Sequence, residues 1–403
     1  MKKPGIIIIG GGAAGLAAAV EATKGPFGTL LLEKNAHCGK KMLLTGGGRC
    51  NFSHSGTTRD LISAFHGQGK FLYSSLSRYG SDHYIAFLRD SGVAVKCEDD
   101  GRYFPQNNRA ATVRDAFIQA LKQAGCPPLC QYEVRAIEHQ SESKLYKITA
   151  VHNHETHHFS APTVILAAGA PCYKHTGSDG HGLTMAAELG LTITSIKPAL
   201  TAIPIKENWV KYLSGVTLSD CRLSIWDSRT KKQIAVERGE LLFTHRGISG
   251  PVALNQSRWC DGPHLTLQLN LLPNYHFETY MIDFKKQIEK RPKITVLRHL
   301  QQRLPASLAR IILSTADCPE SLQGAHLSRD MLRTIAQFVT AAPLTPLPLG
   351  SPNRGMTCRG GIALKNMTAH SLMTKNLPGL FCAGDMLDLD GKTGGYNLQA
   401  AYA

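Results

Sequence analysis

Three glycines, Gly10, Gly12 and Gly15, stand at the G-x-G-x-x-G spacing, and Glu33 follows eighteen residues after the last of them. Each has its own part in holding a dinucleotide. The first glycine permits a tight turn, the second lets backbone approach a pyrophosphate, and the third lets a helix lie close against a strand. The acidic side chain at the end of the next strand meets a ribose hydroxyl. The elements that must position these residues are legible around them. Ile6 to Ile9 is a short β-branched apolar run that reads as a buried parallel strand. Ala13 to Ala22 reads as a helix whose first N–H groups, around Ala13 and Ala14, would face the phosphates. After the break at Gly25-Pro26, Thr29 to Leu32 reads as a second strand ending on Glu33 and Lys34.

Other residues with chemical potential cluster in two glycine-rich stretches. In Thr45 to Asn51, Gly46, Gly47 and Gly48 precede Arg49, Cys50 and Asn51, so a loop that brings backbone close to a ligand also presents a cation and a thiol. The apolar Met42, Leu43 and Leu44 before it read as buried, which favours a cofactor-contacting loop over a surface turn. In Gly239 to Pro251, Thr244, His245, Arg246 and Ser249 lie between glycines, as either a substrate-facing loop or a tight turn. Four histidines, His152, His154, His157 and His158, have no cysteine or carboxylate at ligand spacing, so an exposed hairpin tip is expected there and no metal site.

The rest of the chain supplies scaffold. Ala110 to Ala124 reads as a helix, and Tyr132 to Ile137, Tyr146 to Val151 and Thr163 to Ala168 as strands. The last of these ends in Ala167, Ala168 and Gly169, small enough for a cofactor to pass. His175 to Gly182 is a turn opening a helix that runs to Leu189. From about Ser195 short strands dominate: Leu200 to Ile205, Val216 to Trp226, Gln233 to Val236 and Leu241 to Phe243. Residues 275 to 340 are helical in period, and Pro343 to Pro352 reads as a proline-rich linker. The expected class is α/β: a Rossmann-like domain of residues 1–194 and 353–403, a β-rich domain of 195–274 and 341–352, and a small helical insert of 275–340.

With 43% hydrophobic and 19% charged residues, the 403-residue chain has the composition of a folded globular protein. No apolar run approaches the roughly 18 residues of a membrane span. The two lysines before Ile6 imitate a signal peptide, but the four-residue apolar run is too short, so a cytoplasmic strand is expected. Eleven cysteines without C-x-x-C pairs suggest reduced thiols and argue against disulfide reduction. Net charge is +15, from 45 Lys and Arg against 30 Asp and Glu, and Asp283 to Arg310 carries eight basic residues against two acidic ones. Such an excess suits a polyanionic partner.

The C-terminal stretch completes a pattern. Leu380 to Ala383 reads as a strand closing on Gly384 and Asp385. With TGGGRCN, LFTHRGISGP and LDLDGKTGGYNLQ, the whole chain closely resembles the YhiN/BaiN-type flavoprotein family. The resemblance implies an FAD-binding domain assembled from both ends of the chain. It implies that Gly10, Gly12, Gly15 and Glu33 meet the pyrophosphate and adenosine ribose, and that the Val134 backbone meets the adenine. Lys41, Thr45, Gly46, Gly47, Gly48, Arg49, Asn51, Gly169, Asp385 and the run Gly394, Gly395, Tyr396, Asn397 and Leu398 would then surround the ribityl chain and isoalloxazine. Many relatives carry Glu where Asp385 stands. The sequence stops at Ala403, six residues past Asn397, where relatives continue into a helix facing the flavin, so either a truncated chain or a shortened protein is expected, with flavin affinity left open.

There is no second G-x-G-x-x-G for a pyridine-nucleotide domain, so NADH or NADPH is expected as a transient reductant. Family members are linked to two acceptors, a uracil ring of ribosomal RNA and a steroid- or bile-acid-like enone. Both are C=C bonds conjugated to a carbonyl, and both need an acid within hydrogen-bond reach. Cys50 and His245 are the candidate acids, the first alternatively a packed thiol and the second a turn residue. Arg49 or Arg246 would polarise the carbonyl or hold a phosphate. The basic surface favours ribosomal RNA, with reduction of uridine to dihydrouridine in 23S rRNA, because each phosphate contact releases counterions. A small-molecule enone reductase and a non-enzymatic RNA-binding protein that retains FAD are the alternatives.

Overall fold

The computed structural model describes residues 4–403; Lys2 and Lys3, which precede the apolar run, lie outside them. The chain divides into two compact units, one of Met1–Ala199 with Ser351–Ala403 and one of Leu200–Gly350.

The first unit is built on a five-stranded parallel sheet. Its order is Leu380–Cys382, Thr163–Leu166, β1 (Ile6–Ile9), β2 (Thr29–Glu33) and Leu129–Cys130. Parallel sheets are covered on both faces, and Ile7, Ile8, Leu31, Val164, Leu166 and Leu380 are all fully buried. Helix α1 (Ala13–Thr23) follows β1 and packs on the sheet through Leu16, Ala17, Ala19 and Val20. Its approach is set by backbone, since a Cβ at Gly15 would lie 1.8 Å from the Gly10 carbonyl oxygen.

The path from Leu129–Cys130 back to Thr163–Leu166 is a three-stranded antiparallel meander, Glu133–Gln140, Leu145–His152 and Glu155–Ala161. The histidine-rich hairpin turns at Asn153 and His154, both at positive φ as the favoured two-residue turn demands. The short helix Tyr396–Tyr402 closes the unit: the Tyr402 ring stacks on Tyr84 at 3.9 Å and meets Phe117 edge-on.

In the second unit a six-stranded sheet runs in the order Ile203–Pro204, Gly247–Ser249, Gln233–Thr244, Thr217–Asp227, Leu265–Asn270 and Ala342–Leu344. Its helices include Phe277–Lys290, Val296–Gln301, Ala306–Thr315 and Arg329–Ala341. Leu332, Ile335, Ala336, Phe338 and Val339 make a buried stripe along the last helix, with Ser328 capping its start by accepting from Met331 N–H. Sheet and helices share one core, in which Trp209 packs against both Phe243 and Phe338.

Two local expectations change here. Gln233–Thr244 is one continuous strand instead of two, because the expected break at Gly239 is absorbed by an extra residue between Leu218 and Cys221 of the neighbouring strand. The proline-rich stretch is no free linker. Ala342–Leu344 forms the sheet edge, where Pro343 is tolerated, and Thr345 gives both its N–H and its hydroxyl to the Glu207 carboxylate.

Gly15→Ala should therefore destabilise the protein by about 1–3 kcal/mol through overpacking. Gly12→Ala should change stability by less than about 1 kcal/mol, because its methyl meets nothing within 4 Å and its φ of −76° suits any residue. Urea unfolding of the two variants measures the difference.

Candidate functional site

At the carboxyl end of β1 the chain turns through Gly10, whose φ of 104° only glycine holds comfortably and whose missing side chain lets it lie against the Ala167 carbonyl. Gly12 then caps α1 without a side-chain partner, which leaves the first N–H groups of the helix, around Ala13 and Ala14, pointing outward. The Glu33 carboxylate is buried beneath this turn. Its Oε2 accepts from Gly11 N–H at 2.6 Å, and Oε1 accepts from the Asn35 backbone and side-chain nitrogens. Oε2 retains a second lone-pair direction. Unsatisfied N–H groups above open space, beside a fixed carboxylate, fit the pyrophosphate and ribose of a dinucleotide.

The other end of the chain meets this turn. Gly384, at φ 68°, presses against Ala14, where a Cβ would lie 2.8 Å from the alanine methyl. Asp385 follows it and accepts from Lys41 Nζ at 2.5 Å. Lys41 also donates to the Cys172 sulfur at 2.9 Å. Burial disfavours the Lys41 charge, but Asp385 and Cys172 outweigh it and lift the ammonium above its ordinary range. A cleft beside Asp385 is lined by Gly384, Leu387, Asn397, Ala400 and Ala401. Ala168 gives its N–H to the Met386 sulfur, which ties the strand end before Gly169 to the same place.

The loop of Thr45 to Asn51 lies in this unit as well. Gly46, Gly47 and Gly48 are consecutively left-handed, at φ 57°, 66° and 86°. A Cβ at Gly47 would meet open space and one at Gly48 only an ordinary contact with the Leu43 carbonyl oxygen, so the requirement for glycine there is conformational. Thr45 Oγ1 bonds back to the Met42 carbonyl. Of the three apolar residues before it only Met42 is buried, while Leu44 is 45% exposed. Arg49 stacks on Phe104 with 4.0 Å to the ring centre and pairs with Glu98 at 2.7 Å. Hydrogen-bonding groups around Asn51 orient its amide to donate to the Tyr103 and Ser53 carbonyls and accept from Gly395 N–H, which joins this loop to the C-terminal one.

Several candidates take other partners. Cys50 is fully buried at a left-handed φ of 59°, and burial pushes its thiol up to about 12, so it is held in its protonated, neutral form. Lys34 pairs with Asp179 at 2.7 Å. Asn397 commits both ends of its amide to the backbone of Gly391 and Lys392, a brace within its own loop. Val134 sits beside a register shift in the meander, two residues after Tyr132, whose N–H bonds the Glu33 carbonyl. In the second unit, His245 and Arg246 are the exposed two-residue tip of a hairpin, with Thr244 paired to Gly247.

Three features escaped sequence reading. His54 stacks on Tyr396 at 4.7 Å beside Gly394; one ring nitrogen, Nδ1, bonds the Ser55 carbonyl, and Nε2 has no hydrogen bond among the described residues. The fully buried Gln399 accepts from Ser53 and donates to the Tyr79 carbonyl. Cys172 and Cys358 meet, far apart as they are in the chain. Only His54 had a nearby signal, the glycine-rich loop just before it.

Parallel sheet, glycine turn and buried terminal acid define a dinucleotide-binding protein of the Rossmann class. The chain belongs to the HI0933-like family, whose Rossmann domain matches residues 4–403. Over 408 residues it is 28% identical to the 3-dehydro-bile acid delta(4,6)-reductase of Clostridium scindens, covering 98% of this chain and 96% of that protein. Over 400 residues it is 25% identical to the ribosomal RNA dihydrouridine synthase of Haemophilus influenzae, covering 98% and 95%. Its fold is similar to that of the 3-ketosteroid-delta4-(5alpha)-dehydrogenase of Rhodococcus jostii RHA1, with a TM-score of 0.52 at 14% identity over 99% of this chain and 95% of that one.

The Lys41–Asp385 pair, each side chain about a quarter exposed or less, is close enough to couple energetically. A double-mutant cycle with Lys41→Met and Asp385→Asn, read by urea unfolding, should give a coupling of about 1–3 kcal/mol. Lys41→Met alone should be the worst of the three variants, because it strands a carboxylate.

Proposed function

We propose that this chain is an FAD-dependent oxidoreductase that uses NADH or NADPH to saturate a C=C bond conjugated to a carbonyl, and that its substrate is a uridine of 23S ribosomal RNA, converted to dihydrouridine. Both curated relatives compared above align end to end; one is named for reducing a bile acid, the other for making dihydrouridine in ribosomal RNA. When bound, the isoalloxazine of FAD supplies two-electron hydride chemistry at such a bond. The chain's own residues hold and surround it: the first turn of α1 receives the pyrophosphate, Glu33 the adenosine ribose, and Lys41 and Asp385 the ribityl hydroxyls. Proton delivery to the carbon beside the carbonyl falls to Cys50, whose thiol burial keeps protonated, or to an imidazole, that of His245 or of His54 through Nε2. Arg49, whose charge is shared with Glu98, or Arg246 would polarise the carbonyl.

One observation carries the choice of RNA. Lys286, Lys290, Arg291, Lys293 and Arg298 are all exposed, lie at the end of one helix and the start of the next, and form no ion pair among the described residues. Their neighbours Arg303, Arg310 and Lys285 are neutralised by Asp283, Glu320 and Glu289. Such a patch gives phosphate backbone five contacts and offers a steroid nothing. It also helps offset the few kcal/mol needed to unstack a base. The second reading, a small-molecule enone reductase, rests on the relative with 28% identity.

Mass spectrometry of rRNA from cells lacking the protein should show one uridine without its two-dalton gain, restored by purified protein with FAD and NADH. Neutralising the five basic residues with glutamine should abolish this restoration and spare NADH oxidation by an artificial acceptor. Unchanged rRNA, with turnover of a 3-oxo-4-ene steroid, would replace this reading with the second. Gly12→Ala should keep the fold yet lose flavin absorbance on purification.

A further inference from the structure

All eleven cysteines are free thiols, yet two pairs of them touch. Cys38 and Cys130 meet beneath Glu33, and Cys172 and Cys358 meet beside Lys41. The pairs differ in their surroundings. Burial, the neighbouring thiol and the Glu33 carboxylate all push the Cys38 thiol up, so that pair stays neutral and unreactive. At the second pair Cys358 packs against Cys172, and the Lys41 ammonium donates to the Cys172 sulfur at 2.9 Å. These contacts hold Cys172 below the ordinary thiol range against the effects of burial and of Asp385, and hold the Cys358 proton in place. A donor thiol, a cation and a sulfur between them are what a nucleophilic cysteine needs.

The two residues are anchored on different segments of one unit. Cys172 follows the strand end at Gly169, and Cys358 lies in the strand Thr357–Arg359, paired antiparallel with Lys197–Ala199. No sequence spacing reveals them, which is why the absence of C-x-x-C is no guide to this protein's thiol chemistry. Closure into a disulfide requires the sulfurs of these two packed residues to approach to about 2.05 Å.

We propose that Cys172 and Cys358 are a redox-active dithiol that reacts with hydrogen peroxide, Cys172 as the nucleophile and Cys358 as the resolving thiol. The Cys172 thiolate attacks one peroxide oxygen, the O–O bond breaks, and the departing hydroxide takes a proton to become water, leaving a sulfenic acid. Cys358 sulfur then attacks the Cys172 sulfur, the S–O bond breaks, and the hydroxyl leaves as a second water with the Cys358 proton. Two electrons pass from the two sulfurs to one peroxide. Both cysteines are buried, within 2% of complete, which excludes bulky disulfides such as oxidised glutathione and leaves a small oxidant as the reagent to test. The product removes a hydrogen-bond acceptor from Lys41 and changes the charge next to Asp385.

The test is peptide mapping of the full-length purified protein, treated with one equivalent of hydrogen peroxide, acid-quenched and alkylated. A dithiothreitol-reversible Cys172–Cys358 cross-linked peptide, two daltons lighter than the sum of its parts, is expected. Cys358→Ser should stop the reaction at a Cys172 sulfenic acid that dimedone traps when added with denaturant, and Lys41→Met should slow Cys172 oxidation by about tenfold or more. Oxidation confined to the exposed Cys97, with Cys172 and Cys358 still alkylated as thiols, would overturn the proposal, as would equal reactivity of the Cys38 and Cys130 pair. Mapping the unaltered protein needs no variant to fold.

Discussion

The first unit depends on the contact of two backbones. Gly15 of α1 rests on the Gly10 carbonyl so closely that a single methyl would strike it. That approach fixes the height of the helix over β1, aims its first N–H groups past the sheet edge, and leaves the open space above Gly12. Neither hydrophobic burial nor hydrogen bonding alone has this directional accuracy. Burial of Leu16, Ala19 and Val20 supplies the driving force, and the absence of side chains at two positions decides where the helix stops.

Around this contact the remaining parts are brought in from long distances along the chain. The final strand adds beside Thr163–Leu166, and the turn after it delivers Asp385 to Lys41. Asn51 and Ser53 meet Gly395 and Gln399, so the loop of left-handed glycines is locked by the C-terminal segment. The site is thus a junction of four stretches, each contributing one or two polar groups. Charge is balanced locally: Lys41 stands between a carboxylate and a sulfur, and Arg49 stands between Glu98 and the face of Phe104.

What the sequence displays follows from the range of the interactions involved. The glycine turn, its flanking strands and Glu33 are a local pattern of about thirty residues, and the fold class is legible there. The left-handed run at Gly46 to Gly48 is equally local. Cys50 shows the limit: next to an arginine it reads as either an acid or a packed thiol, and the left-handed backbone angle that accompanies its burial is one that residue type does not announce. Leu44 looks buried and faces out, because a 3₁₀ turn does not follow the period of a helix or a strand. Asn397 reads as a ligand contact; it lines the cleft beside Asp385 and also braces its own loop, a second part that its position in the motif does not announce. His54, Gln399 and the Cys172–Cys358 contact depend on partners hundreds of residues away or on side-chain direction, neither of which spacing encodes.

The order of the parallel sheet has a consequence for biosynthesis. Thr163–Leu166 acquires its outer neighbour only when Leu380–Cys382 is made, about 210 residues later, roughly 10–40 s at ordinary translation speeds. During that interval the nascent first unit carries an unprotected sheet edge of Val, Ile and Leu, the kind of edge that recruits other strands. The second unit, Leu200–Gly350, is continuous in sequence and has its own core, so it can fold while the first waits. Until the last strand emerges, that edge remains a surface on which other strands can pair.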